Sequence, residues 1–190
     1  MNPGTRTSVS ALVIALGSAP SAQGYVLDIA IADATGNHCV VVTPGMPSTL
    51  LVTATFEGIL TPAVEFRVAG LPAGWLVSAS PSPAVDFRLG DVFGNGVNLT
   101  LRCEPGVSSV VLYEVTVLPL DAGPVILSVM PHMFPANGVP CPKFVFGLCE
   151  APVDGFLCLS VGPRALLGTQ DDCLVATESR TWSGVKHLYQ

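Results

Sequence analysis

The chain has 190 residues, of which 49% are hydrophobic and 12% charged, with a net charge of −6 at pH 7. Eight basic residues against fourteen acidic ones argue against a nucleic-acid binder, which needs clustered Lys and Arg to replace counterions along the phosphates. The same balance argues against anionic membrane surfaces, and after the first 22 residues no stretch reaches the roughly 20 apolar residues that a spanning helix requires.

Residues 1–22 read as a secretory signal peptide. Arg6 supplies the positive charge, Val9–Gly17 an apolar run too short to span a bilayer, and Ser18-Ala19-Pro20-Ser21-Ala22 the small residues before cleavage. Removing Arg6 leaves seven basic and fourteen acidic residues, a net charge of −7. The expected location is therefore secreted, periplasmic or cell-surface.

Residues 23–177 read as a single β-sandwich domain. Period-two alternation, the mark of a half-buried strand, runs through 49–57, where Leu50, Val52, Ala54 and Phe56 share one face, and through 63–69, where Val64, Phe66 and Val68 do. It recurs in 84–89 (Val85, Phe87, Leu89) and 97–104 (Val97, Leu99, Leu101, Cys103). Further strands are expected at 25–32, 39–43, 109–118, 124–130, 143–148 and 156–161. Asn95-Gly96 signals a hairpin, and Pro44-Gly45, Leu71-Pro72-Ala73-Gly74 and Asp121-Ala122-Gly123-Pro124 break strands. With 17 Pro and 19 Gly spread along the chain, no long helix fits. The expected fold is an all-β antiparallel sandwich, its core including Leu50, Val52, Phe56, Val64, Phe66, Val68, Val85, Phe87, Leu99, Leu101, Val111, Tyr113, Val115 and Leu127.

Composition changes after Pro131, and segment 131–173 holds Cys141, Cys149, Cys158 and Cys173. Residues 178–190 read as a C-terminal tail or short helix, with Trp182, Val185 and Tyr189 spaced for one helical face and Thr181 as its cap. With Cys39 and Cys103 the cysteines number six, and an even count in an exported chain reads as three disulfides. Six cysteines allow 15 pairings. The expected scheme is Cys39–Cys103, Cys141–Cys149 and Cys158–Cys173, with Cys158 as the alternative partner of Cys141. A zinc site is the weaker reading, because no C-x-x-C pair is present.

No catalytic constellation assembles. His38, His132 and His187 are scattered, and no G-x-S-x-G elbow occurs. Asp28, Asp33, Glu57, Glu65, Asp86, Asp91, Glu104 and Glu114 are isolated, and on alternating strands they fall on the polar face, where solvation is expected. A glycosidase-like hydrolase would need two of them facing across a cleft. Asp33-Ala34-Thr35-Gly36-Asn37 has the composition of a calcium loop without its D-x-D-x-D-G order, so a turn is expected there. No metal or cofactor is expected. Trp75 and Trp182 are the candidates for stacking on a sugar. Trp75 has the competing role of plugging the sandwich end after its turn.

From Val41-Val42-Thr43-Pro44-Gly45 through Ala63-Val64-Glu65-Phe66-Arg67-Val68 to Gly123-Pro124-Val125-Ile126-Leu127-Ser128-Val129, the order of elements resembles the cohesin and carbohydrate-binding-module type of bacterial β-sandwich, broadly immunoglobulin-like. The layout is also similar to a group of uncharacterised exported bacterial β-sandwich proteins. The residues that carry this second likeness are Asn37-His38-Cys39, Val64-Glu65-Phe66-Arg67, Leu148-Cys149-Glu150-Ala151-Pro152 and the final ten residues. The resemblance implies export and a β-sandwich, and no known activity. An exported sandwich without a catalytic constellation reads as a non-catalytic binding or structural module of the cell envelope or extracellular space, with a glycan or a protein as partner. The alternative is a secreted hydrolase using strand carboxylates.

Protein recovered from its native host should begin near Gln23 or Tyr25. N-terminal sequencing or intact mass checks this, and Met1 retained on exported protein would refute it.

Overall fold

In the computed structural model, residues 27–56, 63–102, 109–121, 123–146 and 155–178 are described. Among them lie thirteen strands: β1 (Leu27–Ala32), β2 (Cys39–Val41), β3 (Ser48–Phe56), β4 (Ala63–Ala69), β5 (Leu76–Pro81), β6 (Val85–Asp91), β7 (Gly96–Leu101), β8 (Ser109–Leu118), β9 (Val125–Met130), β10 (Lys143–Phe146), β11 (Gly155–Cys158), β12 (Ser160–Val161) and β13 (Ala165–Gly168). One nine-residue helix, α1 (Gln170–Glu178), follows. The expected signal peptide, Cys103, Cys149, Trp182 and the 179–190 part of the tail lie outside the described residues.

Two sheets face each other. The smaller has the order β12-β1-β3-β8-β5. The larger runs β11-β10-β4-β9-β13-β2, with β7 on the other side of β4 and β6 on β7. Most pairings are antiparallel; β1–β12 and β2–β13 are parallel. The inner faces are the alternating apolar sets. Leu50, Val52, Ala54 and Phe56 from β3 meet Val64, Phe66 and Val68 from β4, all buried. Phe66 lies edge-on to Tyr113 with ring centroids 6.3 Å apart, and Phe56 tilts against Phe144 at 5.8 Å. Both aromatic pairs cross between the sheets and add to the area term that drives the closure.

Two of the expected core positions do not hold, and a register shift explains each. The β6–β7 register skips a residue between Val85 and Phe87. Val85 still packs against the core, but Phe87 and Leu89 turn outward to 62% and 63% exposure. Arg88 and Gly90 instead pair with the inward Leu99 and Val97. A second shift, opposite Val52 and Thr53, leaves Leu112 as the extra residue of β8. Leu112 and Tyr113 are then both fully buried, while Val111 is only half-buried. A bulge inverts the facing of every residue beyond it.

The expected disulfide scheme is also corrected. Cys39 bonds Cys173 and Cys141 bonds Cys158, each with Cα atoms 5.6 Å apart. Cys39 opens β2 at one edge of the large sheet, and β7, which leads towards Cys103, lies four strand positions away. At about 4.8 Å per position that is roughly 19 Å, far beyond the ~7 Å a disulfide can span. Cys173 reaches Cys39 because α1 lies across the β2–β13 edge. Cys141 pairs with Cys158 because the β10–β11 hairpin sets Cys158 opposite Lys143, while β10 runs extended away from Cys141.

Non-reducing peptide mapping should return Cys39–Cys173 and Cys141–Cys158 peptides. The first closes a span of 134 residues and the second one of 17. Chain-entropy reasoning then gives about 5 and about 3 kcal/mol, so removing Cys39–Cys173 should cost more stability in urea unfolding. Equal losses would refute this.

Candidate functional site

The partners of β4 change along its length. Met130, the end of β9, pairs with Arg67, and Lys143, the start of β10, pairs with Glu65, both along the same side of β4. Only Phe66 separates those two positions. β9 and β10 are therefore one strand interrupted by the excursion 131–142, which leaves and rejoins the sheet within a single residue step. Pro131, Pro135, Pro140 and Pro142 lie in it, and proline suits a segment that cannot continue the ladder.

The excursion folds back over the outer face of β4. Arg67 Nε donates to the Pro131 carbonyl at 3.0 Å, and the Met133 N–H donates to the Asn95 carbonyl at 2.7 Å. The His132 ring lies against Gly96, where a Cβ would fall 2.4 Å from His132 Cδ2. With φ +121 as well, this position requires glycine. His132 Nδ1 accepts the Phe134 N–H at 3.0 Å. Cys141–Cys158 anchors the returning end.

A buried ion pair lies beneath. Glu65 and Lys143 are only 6% and 3% exposed, with Nζ and Oε1 3.5 Å apart. Both reach the backbone of the same residue of the excursion: the Ala136 N–H donates to Glu65 Oε1 and Oε2 at 3.3 and 3.2 Å, and Lys143 Nζ donates to the Ala136 carbonyl. Lys143 Nζ also sits 5.2 Å from the Phe156 ring centroid. Parity puts Glu65 on the outer face, as the sequence suggested, but the expected solvation does not hold because residues 71 positions along the chain cover it. Lys143, at the start of a strand, gave no sequence signal.

Beside the excursion the outer face stays open. β6 contributes Phe87 and Leu89, opposite Thr100 and Asn98 of β7, and Asn98 is in turn opposite Glu65. Leu89 is thus about 10 Å, two strand spacings, from the covered Glu65. On the excursion, Met133 and Phe134 are 56% and 73% exposed. The result is a polar floor of Asn98 and Thr100 between two apolar rims.

The other candidates fall elsewhere. Trp75 is 6% exposed, so its faces are packed in the core and cannot stack on a sugar. Asp33 folds into its own turn: Oδ1 accepts the N–H groups of Thr35 and Asn37 and the Thr35 hydroxyl, and Oδ2 accepts Asn37 Nδ2. The Thr35 hydroxyl leads the hydrogen bonds that hold the Asp33 carboxyl down at about 2. The seam between the β5 and β6 edges opens a cavity of about 410 Å³ lined by Val77, Ala79, Arg88, Asp91 and Tyr113 among others. Burial pushes the Tyr113 phenol up, opposed by the Arg88 guanidinium. Among the described residues, Asp91 is the only carboxylate lining this cavity. Among the described residues no three His, Cys, Asp or Glu side chains gather as metal ligands, and no helix is long and apolar enough to cross a membrane.

No family model and no curated protein matches the chain. Solved structures do. A cohesin module from a Clostridium perfringens family 33 glycoside hydrolase aligns at TM-score 0.50 and 11% identity, over 77% of this chain and 99% of that one. The sixth cohesin of Acetivibrio cellulolyticus scaffoldin B, solved with a Cel5 dockerin mutant, aligns at 0.49 and 11% over the same shares. CaCohA2 from Clostridium acetobutylicum aligns at 0.42 and 11%, over 76% and 90%.

Lys143→Met should leave Glu65 buried without a counter-charge and lower stability by about 3–5 kcal/mol, whereas Glu65→Leu combined with Lys143→Met should be far milder. Urea unfolding of both variants checks this. An additive double variant would show that the two charges act independently. At 11% identity to the Clostridium perfringens module, the likeness is one of fold, and the chain carries a cohesin-like β-sandwich.

Proposed function

We propose that this chain is an exported, non-catalytic module that binds a protein partner through the outer face of its large sheet. The observation that carries this reading is the exposure of Phe87, Leu89, Met133 and Phe134 around Asn98 and Thr100. Large apolar side chains held in water at one place mark an interaction surface. The mix of rim residues favours a protein over a glycan. Leu89, Met130 and Met133 suit aliphatic contacts, and among the described residues no exposed Trp or Tyr offers a flat platform. The ion pair under the excursion supports the reading, because a pre-organised rim lowers the entropy lost on association.

Export rests on the leading segment 1–22 and on the disulfides, which persist in oxidising compartments. The domain then comprises residues 23–177. The hydrolase alternative is not favoured: Glu65 is paired with Lys143, Asp86 with Arg102 at 2.9 Å, and Asp33 with its own turn.

The test is retention of envelope and extracellular proteins of the native host on the immobilised, oxidised domain, against a Phe87→Ser, Leu89→Ser, Phe134→Ser variant. All three sites are exposed, so its melting temperature should change little. A protein partner held by the parent should be lost by at least about tenfold, as expected when apolar anchors are removed. Retention unaffected by the substitutions, or selective binding on a glycan array instead, would overturn the reading.

A further inference from the structure

A second concavity lies at the opposite edge of the large sheet, and it does not depend on the binding face described above. Its volume is about 530 Å³, and its wall includes His38, Cys39, Val41, Arg164, Leu166 and Leu174. Such a size lies within the range of small-molecule sites. The local sequence builds it in three steps. β13 pairs in parallel with β2, Leu166 opposite Cys39. Ala165 and Leu167 point into the core, so Arg164 and Leu166 share the outer side. The Cys39–Cys173 bond then holds α1 across that side.

Arg164 is the unusual member. The other basic side chains of the described residues lie elsewhere: Arg67 bonds the Pro131 carbonyl, Arg102 pairs with Asp86, Lys143 pairs with Glu65, and Arg88 lines the seam cavity with Tyr113 and Asp91. No carboxylate of the described residues lies within ion-pair distance of Arg164. The acids of the flanking elements are turned away. Asp33 is spent on Thr35 and Asn37, and Asp172 accepts the N–H and hydroxyl of Thr169 at 2.7 Å each as part of the α1 cap. Asp171 does not line the hollow. The rest of the wall mixes apolar groups, Val41, Leu166, Leu174 and the Cys39–Cys173 disulfide, with the polar side chains of Asn37, His38 and Gln170. The His38 ring is fixed by Nδ1, 2.7 Å from the Ile31 carbonyl oxygen.

We propose that this hollow binds a small monocarboxylate with an apolar body, its carboxylate on Arg164 and its body against Val41, Leu166 and Leu174. A guanidinium fork fits a carboxylate through two parallel hydrogen bonds. A single cation with no Lys or Arg beside it suits a monoanion better than a phosphate.

The test is a methyl-resolved nuclear magnetic resonance titration of the full oxidised domain with hexanoate, hexanamide and inorganic phosphate. Hexanoate should shift the Val41, Leu166 and Leu174 methyls saturably. Hexanamide and phosphate should bind at least about tenfold more weakly, as should hexanoate to the Arg164→Gln variant, since a charge-assisted pair is lost in each case. Arg164 is exposed, so the melting temperature of that variant should stay unchanged. Equal affinity for hexanamide, unchanged binding by Arg164→Gln, or no saturable shift with hexanoate would overturn the proposal. The comparison of hexanoate with hexanamide on the unmodified protein decides it without any variant.

Discussion

The buried contact between Glu65 and Lys143 is the constraint around which the large sheet is arranged. Taking either charge out of water alone costs several kcal/mol. The pair is tolerable because each partner also bonds the backbone of one residue, Ala136. This requirement fixes where the interrupted strand leaves and re-enters, since Lys143 must arrive opposite Glu65. It also ties down the excursion, because Ala136 bonds both charges. An apolar pair would fill the same space, but it would not select the backbone of one residue from a twelve-residue segment. The ion pair therefore supplies specificity of arrangement.

Much of the sandwich was legible because period-two alternation reports a local fact: which side of a strand avoids water. Leu50, Val52, Val64, Phe66, Leu99 and Leu127 are buried as their pattern implied. The reading failed where a local pattern was broken by non-local pairing. Phe87 alternates correctly with Val85 in sequence, and only the partner strand reveals the extra residue between them. β5 (Leu76-Val77-Ser78-Ala79-Ser80-Pro81) carries no clear strand signal in sequence because its small polar residues give little contrast between faces. It forms at all because β8 supplies a ladder, and Pro81 is tolerated at an edge. β13 and α1 are short and lie in a stretch read for its cysteines. Disulfide pairing was the least legible feature, since it depends on strand order across the whole sheet.

The candidate site shows the same division. Alternation with Asp86 and Arg88 points Phe87 and Leu89 inward, and the register shift after Val85 turns them out. Glu65 was placed on the correct face, yet its cover comes from residues distant in sequence. Arg164 and Leu166 carry no motif; their meaning comes from the hollow that β2, β13 and α1 make together.

The parallel pairings have a consequence for how this molecule is made. β1 borders β12 and β2 borders β13, so the two earliest strands of the described domain each wait for one of the last. A chain emerging from its N-terminus therefore carries Leu27–Ala32 and Cys39–Val41 without those neighbours until residues beyond 160 have appeared. The hairpins β6–β7 and β10–β11 need no such delay, and Cys141–Cys158 can close as soon as its own hairpin exists. Cys39, by contrast, has to remain a thiol through most of synthesis. Long-range pairing of this kind slows folding and prolongs the exposure of unpaired edges. The compartment that receives the chain thus has to supply both an oxidant and time. An oxidant acting too early would bond Cys39 to a cysteine nearer in sequence than Cys173.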